Sequence, residues 1–442
     1  MIRVIGAGLA GCEAALQIAD GGERVLLCEM KPQKYTPAHQ YPGFAELICS
    51  NSLKAERVES AAGLLKAEMR LLGSVVCRAA DETRVPAGGA LAVDRVRFSD
   101  TITQAVRRHP NIEVVEGEVT AIDPDEWTVV ASGPLTSDAL SAAIADLIGE
   151  DYLSFYDAAA PIVTAQSLDR DRVFAAARYG RGDADYLNCP MNKEEYDVFI
   201  DALVSAERAP LHDFEQVGVY EGCMPVEVMA ARGHDTLRFG PLRPVGLRDP
   251  ATGHRPWAVV QLRKEDVQGS LYNLVGFQTN LKFPEQKRVF SLIPGLEKAE
   301  FMRYGVMHRN TFLNSPKLLC PTLCLRRHPK VFFAGQITGT EGYIESAAGG
   351  ILAGKNALRA ARGRPLLELP RDTMLGALTH YVSDGGNADF QPMGANMGVL
   401  PPLENRVRGK QERYGALAAR ALCSLRGYLR AAGEAEAEAT QS

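Results

Sequence analysis

The opening stretch of the chain, from Ile2 to Glu29, constrains the fold more tightly than any other. Arg3-Val4-Ile5 is a short apolar strand that runs straight into Gly6-Ala7-Gly8-Leu9-Ala10-Gly11. Cys12 to Ala19 then carries the Ala and Leu content and spacing of a helix packing on a sheet. Gly21-Gly22 stops that helix, and Val25-Leu26-Leu27-Cys28 is a second strand closing on Glu29. Strand, glycine turn, helix, strand and acid in this order form a dinucleotide-binding βαβ unit. Gly6 permits the tight turn, Gly8 lets the backbone approach a pyrophosphate, and Gly11 lets helix and strand pack closely. Through Ala7, Leu9 and Ala10, the turn and helix start offer free N–H groups and a positive dipole end to phosphates. Glu29 stands where an acid accepts ribose hydroxyls.

The far end of the chain selects between flavin and nicotinamide. Val331-Phe332-Phe333-Ala334-Gly335-Gln336 reads as another buried strand ending in glycine. It leads into a helix of small residues that includes Gly349 and Gly350. Flavoproteins of the glutathione-reductase type return late in the chain with such a strand and helix, and this resemblance implies FAD. Gly335, Gln336, Gly349 and Gly350 thereby join the cofactor-binding set, with Gln336 in place of the usual acid. Val129-Val130-Ala131 fits the middle strand of the same domain. Between these pieces, Asn192-Lys193-Glu194-Glu195 opens a helix with a capping box. Tyr196, Phe199, Ile200, Leu203 and Val204 follow at helical spacing, and β-rich runs such as Trp257 to Leu262 come after. The fold class is therefore α/β: a glutathione-reductase-like FAD-binding Rossmann domain (1–155 and 321–442) with an inserted α+β domain (156–320). A C-terminal helix over 411–432 and a frayed tail from Glu434 complete the expectation.

A length of 442 residues with 46% hydrophobic and 23% charged residues is ordinary globular composition. No run approaches the roughly 20 apolar residues of a membrane span. Nine scattered cysteines and no secretory leader point to reduced thiols in a cytoplasm. The net charge of −5 argues against a polyanion partner, but its distribution does not. Residues 301–330 hold six basic residues and no acid, and 405–430 hold seven against one. Two such segments on an acidic body suit phosphates, or are simply solvated faces.

Two cysteines have informative neighbours. Cys223 precedes Pro225 and a short helical run ending before Gly233, so its thiol falls at a helix N-terminus, where thiolate is favoured. Cys49 lies in a polar run ahead of another helix. Residue mechanics alone leave either one readable as an inert buried thiol. Cys320 and Cys324 lack the further ligands a metal needs, and no metal is expected. Cys12, Cys28, Cys77, Cys189 and Cys423 read as core or helix-face residues.

Seven blocks together resemble one family. They are Thr36-Pro37-Ala38-His39, Phe44 to Leu53 around Cys49, Arg84 to Arg95, Gly222-Cys223-Met224-Pro225-Val226-Glu227, Phe239-Gly240-Pro241, Gly335 to Gly339, and Phe390 to Asn396. The chain resembles the bacterial folate- and FAD-dependent tRNA (uracil-5-)-methyltransferases, the TrmFO family, related to the larger GidA-type flavoproteins. The resemblance implies a cytoplasmic methyltransferase that makes 5-methyluridine in the T-loop of tRNA. It implies 5,10-methylenetetrahydrofolate as one-carbon donor, reduced FAD as reductant, and NAD(P)H as electron source. Cys49 and Cys223 match the catalytic pair, one acting on a methylene-carrying flavin and the other as nucleophile at uracil C6 or as base. Their division of labour stays open. Folate is flat and anionic, which nominates His308 and Tyr343 for stacking and Arg309 for its charged part. The basic segments, Arg406, Arg408 and Arg413 in particular, are the expected tRNA docking surface. The oligomeric state is left open, a monomer being admissible. The alternatives are a GidA-like wobble-uridine enzyme, a small-molecule NAD(P)H flavin oxidoreductase, and an RNA-binding flavoprotein without methylation.

Overall fold

A computed structural model of the chain describes residues 1–36, 38–149, 153–158, 160–180, 184–209, 224–305, 307–387, 390–405 and 407–434. At its centre is a five-stranded parallel sheet. Its order is Val331–Phe333, Thr128–Val130, Ile2–Ile5, Val25–Glu29, Ile112–Glu116. The sequence places these strands in three separate regions, and β-branched and aromatic side chains bury both faces. Val129 and Phe332 join one core while Val130, Val331 and Phe333 join another on the opposite face, as the period of two requires. Helices Leu9–Asp20 and Tyr343–Ala361 belong to the first core, and Asp138–Ile148 to the second.

The chain leaves this domain on strand Leu153–Ala158 and returns on Met307–Phe312, and the two pair antiparallel. Between them lies a six-stranded antiparallel sheet in the order Phe174–Ala175, Tyr186–Met191, Ala258–Lys264, Leu271–Leu274, Ile162–Thr164, Phe301–Arg303. The expected boundary at 155/156 falls within the outgoing strand, and the one at 320/321 lies eight residues past the end of the returning strand at Phe312. Helix Lys193–Val204 packs on this sheet. Its capping box pairs the Asn192 side chain with the Glu195 N–H at 2.8 Å and the Glu195 carboxylate with the Asn192 N–H at 2.9 Å. Tyr196, Phe199, Ile200 and Leu203 are buried, whereas Val204 at the end of the periodic run is exposed.

The C-terminal helix spans Lys410–Ala431, close to expectation. Of the expected tail only Glu434 is described: Arg359 at 2.6 Å and Lys355 at 3.2 Å hold it against the helix end, and residues 435–442 lie outside the described residues.

Two buried glutamates tie helices together in a way no local pattern announces. Glu13 accepts from the Ser74 hydroxyl and from the N–H groups of Val75 and Val76. Glu68 accepts from the N–H groups of Met374 and Leu375 at 2.7 and 2.9 Å. Each carboxyl therefore caps the N-terminus of a helix distant in sequence. Burial pushes Glu68 up from 4.5 to about 7, against the pull of those donors. A carboxyl raised in the folded state contributes stability that is complete below its unfolded value and is lost as pH rises through about 7. Relative to Glu68→Gln, the wild type is expected to lose on the order of 3 kcal/mol between about pH 4.5 and about pH 8. Thermal melts of both proteins across that range check it; parallel curves would refute the assignment.

Candidate functional site

A cavity of ≈ 490 Å³ lies where the parallel sheet, the segment 39–54, the late helix and the insert meet. Its floor is the glycine turn. Gly6 has φ +95°, and a Cβ there would stand 2.7 Å from the Ala131 carbonyl oxygen. At Gly11 a Cβ would fall 1.8 Å from the Gly6 oxygen, so this glycine serves helix–strand packing and does not line the cavity. Gly8 differs from both: no heavy atom lies within 4 Å of its would-be Cβ, and the residue faces the cavity together with Ala7, Leu9 and Ala10. The helix that starts at Leu9 has no side-chain cap and no acid in its first turn. Its orphan N–H groups suit a phosphate. Glu29, buried at the end of its strand, accepts from the Ala7 N–H at 2.7 Å and from the Lys31 N–H at 2.9 Å. Those bonds aim the carboxylate at the cavity wall it helps to form. An open glycine, an uncapped helix start and an acid on the adjacent strand fit a dinucleotide.

Gly335 and Gln336 also line the cavity. Gly335 has φ +84°, and a Cβ there would meet Ala10 Cβ at 2.9 Å. Gln336 donates its amide to Glu341 at 2.6 Å, so its carbonyl end is the part left to face a ligand. Gly349 and Gly350, expected to contact the cofactor, do not line the cavity. Gly350, like Gly354, lets the late helix ride on the first one: a Cβ there would stand 2.2 Å from the Ala10 carbonyl oxygen.

Cys49 stands in the cavity wall. Its loop is fixed from several sides. The Tyr343 hydroxyl accepts the N–H groups of Cys49 at 2.6 Å and Ser50 at 3.2 Å. Arg263, on the central strand of the insert, donates to Ser50 Oγ at 2.7 Å and to Asn51 Oδ1 at 2.8 Å. Arg95 reaches the carbonyls of Leu47 at 2.5 Å and Cys49 at 3.4 Å, and pairs with Glu265 of the insert at 2.5 Å. Burial raises the Tyr343 phenol, so the ring keeps its proton. Burial lowers Arg263 and Arg303, and Arg95 lowers Arg303 further, which marks a crowd of guanidinium groups around this loop. Lys54, in the same wall, pairs with buried Glu345 at 2.6 Å, and Glu345 also accepts from the Ala395 N–H at 2.9 Å.

The remaining sequence candidates divide. Tyr343 lines the cavity and has the further task of holding the Cys49 loop. His308 and Arg309 occupy the returning strand, paired with Asp157 and Tyr156 and directly ahead of Asn310, which lines the cavity. Cys223 and Arg406 lie outside the described residues. The helix that follows Cys223, Val226–Ala231, is tied to the wall by its Val226 N–H, which donates to the Gln278 carbonyl at 2.7 Å. Arg408 and Arg413 are exposed at the start of the C-terminal helix, with Arg413 and Lys410 over the Tyr414 ring. The basic run 301–330 is not one surface. Arg303 donates to the Ala38 carbonyl, Arg326 to Ser383 and Lys330 to Asp125. Cys12, Cys28, Cys77 and Cys189 are buried, and Cys423 is exposed on its helix. Among the described residues no three metal-capable side chains cluster, and no helix is long and apolar enough to cross a membrane.

Sequence reasoning missed Arg95, Arg263, Glu265 and the Lys54–Glu345 pair. Arg95 and Lys54 sit in or beside blocks singled out for other reasons. Arg263 and Glu265 carry no local signal, because their partners are more than a hundred residues away.

Comparison with known proteins follows the same outline. Residues 1–365 match the family model described as glucose inhibited division protein A. Over 428 residues the chain is 58% identical to the methylenetetrahydrofolate–tRNA-(uracil-5-)-methyltransferase TrmFO of Acetivibrio thermocellus, covering 97% of this chain and 98% of that protein. The TrmFO of Moorella thermoacetica is 60% identical over 421 residues, 95% of this chain and 96% of the relative. Among solved structures, Aquifex aeolicus GidA superposes with a TM-score of 0.70 at 17% identity, covering 97% of this chain and 73% of GidA, which shows a shared fold.

Proposed function

This chain belongs to the glucose inhibited division protein A family and, within it, to the TrmFO methylenetetrahydrofolate–tRNA-(uracil-5-)-methyltransferases, and from that premise we propose that it methylates uracil C5 in the T-loop of tRNA, in the cytoplasm. The observation that carries the reading is that Cys49 stands in the wall of the same cavity whose floor is the dinucleotide turn. FAD is the dinucleotide, held by the Gly6–Gly11 turn, Glu29, Gly335 and Gln336, and when reduced it supplies the electrons that turn a methylene into a methyl group. Methylenetetrahydrofolate is the carbon donor and NAD(P)H the source of the electrons.

Uracil C5 is not nucleophilic until an anion adds at C6. A thiolate forms a bond to C6, the C5=C6 electron pair becomes available at C5 for the one-carbon unit, a base removes the C5 proton, and the sulfur then leaves. Cys49 and Cys223 supply the nucleophile and its partner. Arg95 and Arg263, which donate to the Cys49 carbonyl and the Ser50 hydroxyl, place two guanidinium groups beside the Cys49 loop. Tyr343 and Arg263 hold the loop in one geometry, so the sulfur does not have to search for it. The target uridine must leave its stack to enter the cavity.

The deciding experiment combines flavin-replete protein, an unmodified tRNA transcript, NADPH and methylenetetrahydrofolate labelled in its transferable carbon. Digestion and mass spectrometry are expected to find labelled 5-methyluridine in the T-loop. Label at a wobble uridine, or NADPH oxidation with no label in any RNA, would overturn the proposal.

A further inference from the structure

The insert carries a basic surface that no step so far uses. Residues 232–255 hold five arginines and two aspartates in a chain of net charge −5. Both aspartates are committed: Asp235 pairs with Arg238 at 3.0 Å, and Asp249 accepts from the Ala251 N–H at 2.9 Å and the Thr252 hydroxyl at 3.2 Å. Arg243, Arg248 and Arg255 are exposed, and none has an acid partner among the described residues. Arg248 and Arg255 line a shallow concavity of ≈ 590 Å³ together with Tyr179, Gly180 and Gly246.

Tyr179 marks the place as built. It has φ 60°, the left-handed region that a side chain with a Cβ enters at a cost of about 1–2 kcal/mol. A main-chain bond from its N–H to the Gly246 carbonyl at 2.9 Å holds it there, and Gly246 leaves room for the ring. The ring is 59% exposed beside the arginines. Strain that presents an aromatic face to solvent invites a functional explanation.

The concavity is also connected to the cavity. Arg178, the residue before Tyr179, donates to the Arg243 and Val245 carbonyls and to the Gln261 side chain at 2.8 Å. Gln261 and Arg263 are two apart on one strand, so their side chains share a face of the insert sheet. Arg263 is the residue that grips Ser50 and Asn51 beside Cys49. A line of polar side chains, Arg263, Gln261 and Arg178, thus runs from the Cys49 loop along one sheet face to the outer concavity.

From this arrangement we infer that Arg243, Arg248 and Arg255 with Tyr179 form an RNA-docking surface. The arginines meet backbone phosphates of the tRNA body and Tyr179 stacks on a base or ribose at the same time. The inference rests on the tRNA reading above, and it places the docking surface on the insert, apart from the C-terminal helix. Arginines without acids supply the sequence-independent part of RNA affinity, and an exposed ring supplies stacking.

The test uses the full flavin-loaded protein and an unmodified tRNA transcript, with affinity measured by fluorescence anisotropy over a salt series. In Arg243→Ala/Arg248→Ala/Arg255→Ala the slope of log affinity against log salt is expected to fall by roughly two to three, at about 0.7–0.9 per phosphate contact. The triple Lys variant is expected to keep the wild-type slope. Tyr179→Ala should weaken binding at least about fivefold with the slope unchanged. A triple Ala variant with wild-type melting, slope and affinity would overturn the inference while leaving the methyltransferase reading intact. A wild type that binds no tRNA would overturn both. Weaker binding by the triple Ala variant at an unchanged slope would exclude phosphate contacts and refute the proposed surface.

Discussion

Cys49→Ser in the flavin-loaded enzyme is expected to lower single-turnover methylation of tRNA by at least roughly a thousandfold, the scale on which a reacting or proton-moving group acts. Flavin content and tRNA affinity should be unchanged, because the Cys49 backbone bonds to Tyr343 and Arg95 do not involve the sulfur. Tyr343→Phe is the informative companion. It keeps the aromatic face toward the cavity but leaves the N–H groups of Cys49 and Ser50 without their acceptor. Each such loss costs about 1–3 kcal/mol when the group is buried. The expected result is a kcat lower by roughly ten- to a hundredfold with the KM for tRNA unchanged. The rate of alkylation of Cys49 by iodoacetamide should change in parallel, which a ring that only stacks on folate would not produce. A Cys49→Ser enzyme with full turnover would remove Cys49 from the chemistry. A Tyr343→Phe enzyme with wild-type kcat would show that the hydroxyl does not set the loop.

The second large effect separates two glycines of one motif. Gly11→Ala places a Cβ 1.8 Å from the Gly6 carbonyl oxygen, which neither backbone can yield without parting helix from strand. The expected loss is about 3 kcal/mol or more, at the upper end of overpacking costs. It should appear in the apoprotein as a lower melting temperature and poor soluble yield. Gly8→Ala meets nothing within 4 Å, and the residue already has an ordinary φ of −72°. The apoprotein should therefore melt as wild type, while flavin is lost on gel filtration because the methyl group stands where the pyrophosphate approaches. Equal effects of the two substitutions on the apoprotein would contradict this division of roles.

The same contrast explains what was legible in the chain. The turn, both early strands and the capping box of Lys193–Val204 rest on residues within four or five positions of one another, and a pattern that short survives in sequence. The glycines of Tyr343–Ala361 look like a second ligand-binding series by composition. In the structure they are a packing seam, since a small residue that admits a phosphate and one that admits a neighbouring helix are spelled alike. The acidic caps Glu13 and Glu68 could not be read at all. Each serves a helix start 61 or more positions away, and an isolated glutamate on a helix ordinarily faces solvent.

Sequence by itself determined the dinucleotide turn, which is written in contiguous residues, and the class of fold, which three separated apolar strands spell out; it left the thiol at position 49 readable as reactive or inert. The tertiary structure decided what surrounds that thiol. Tyr343 comes from the late helix, Arg95 from an early one, Arg263 from a strand of the insert and Glu265 from just past the end of that strand. Their meeting depends on how two sheets, far apart in sequence, pack against each other, and only long-range packing fixes that geometry.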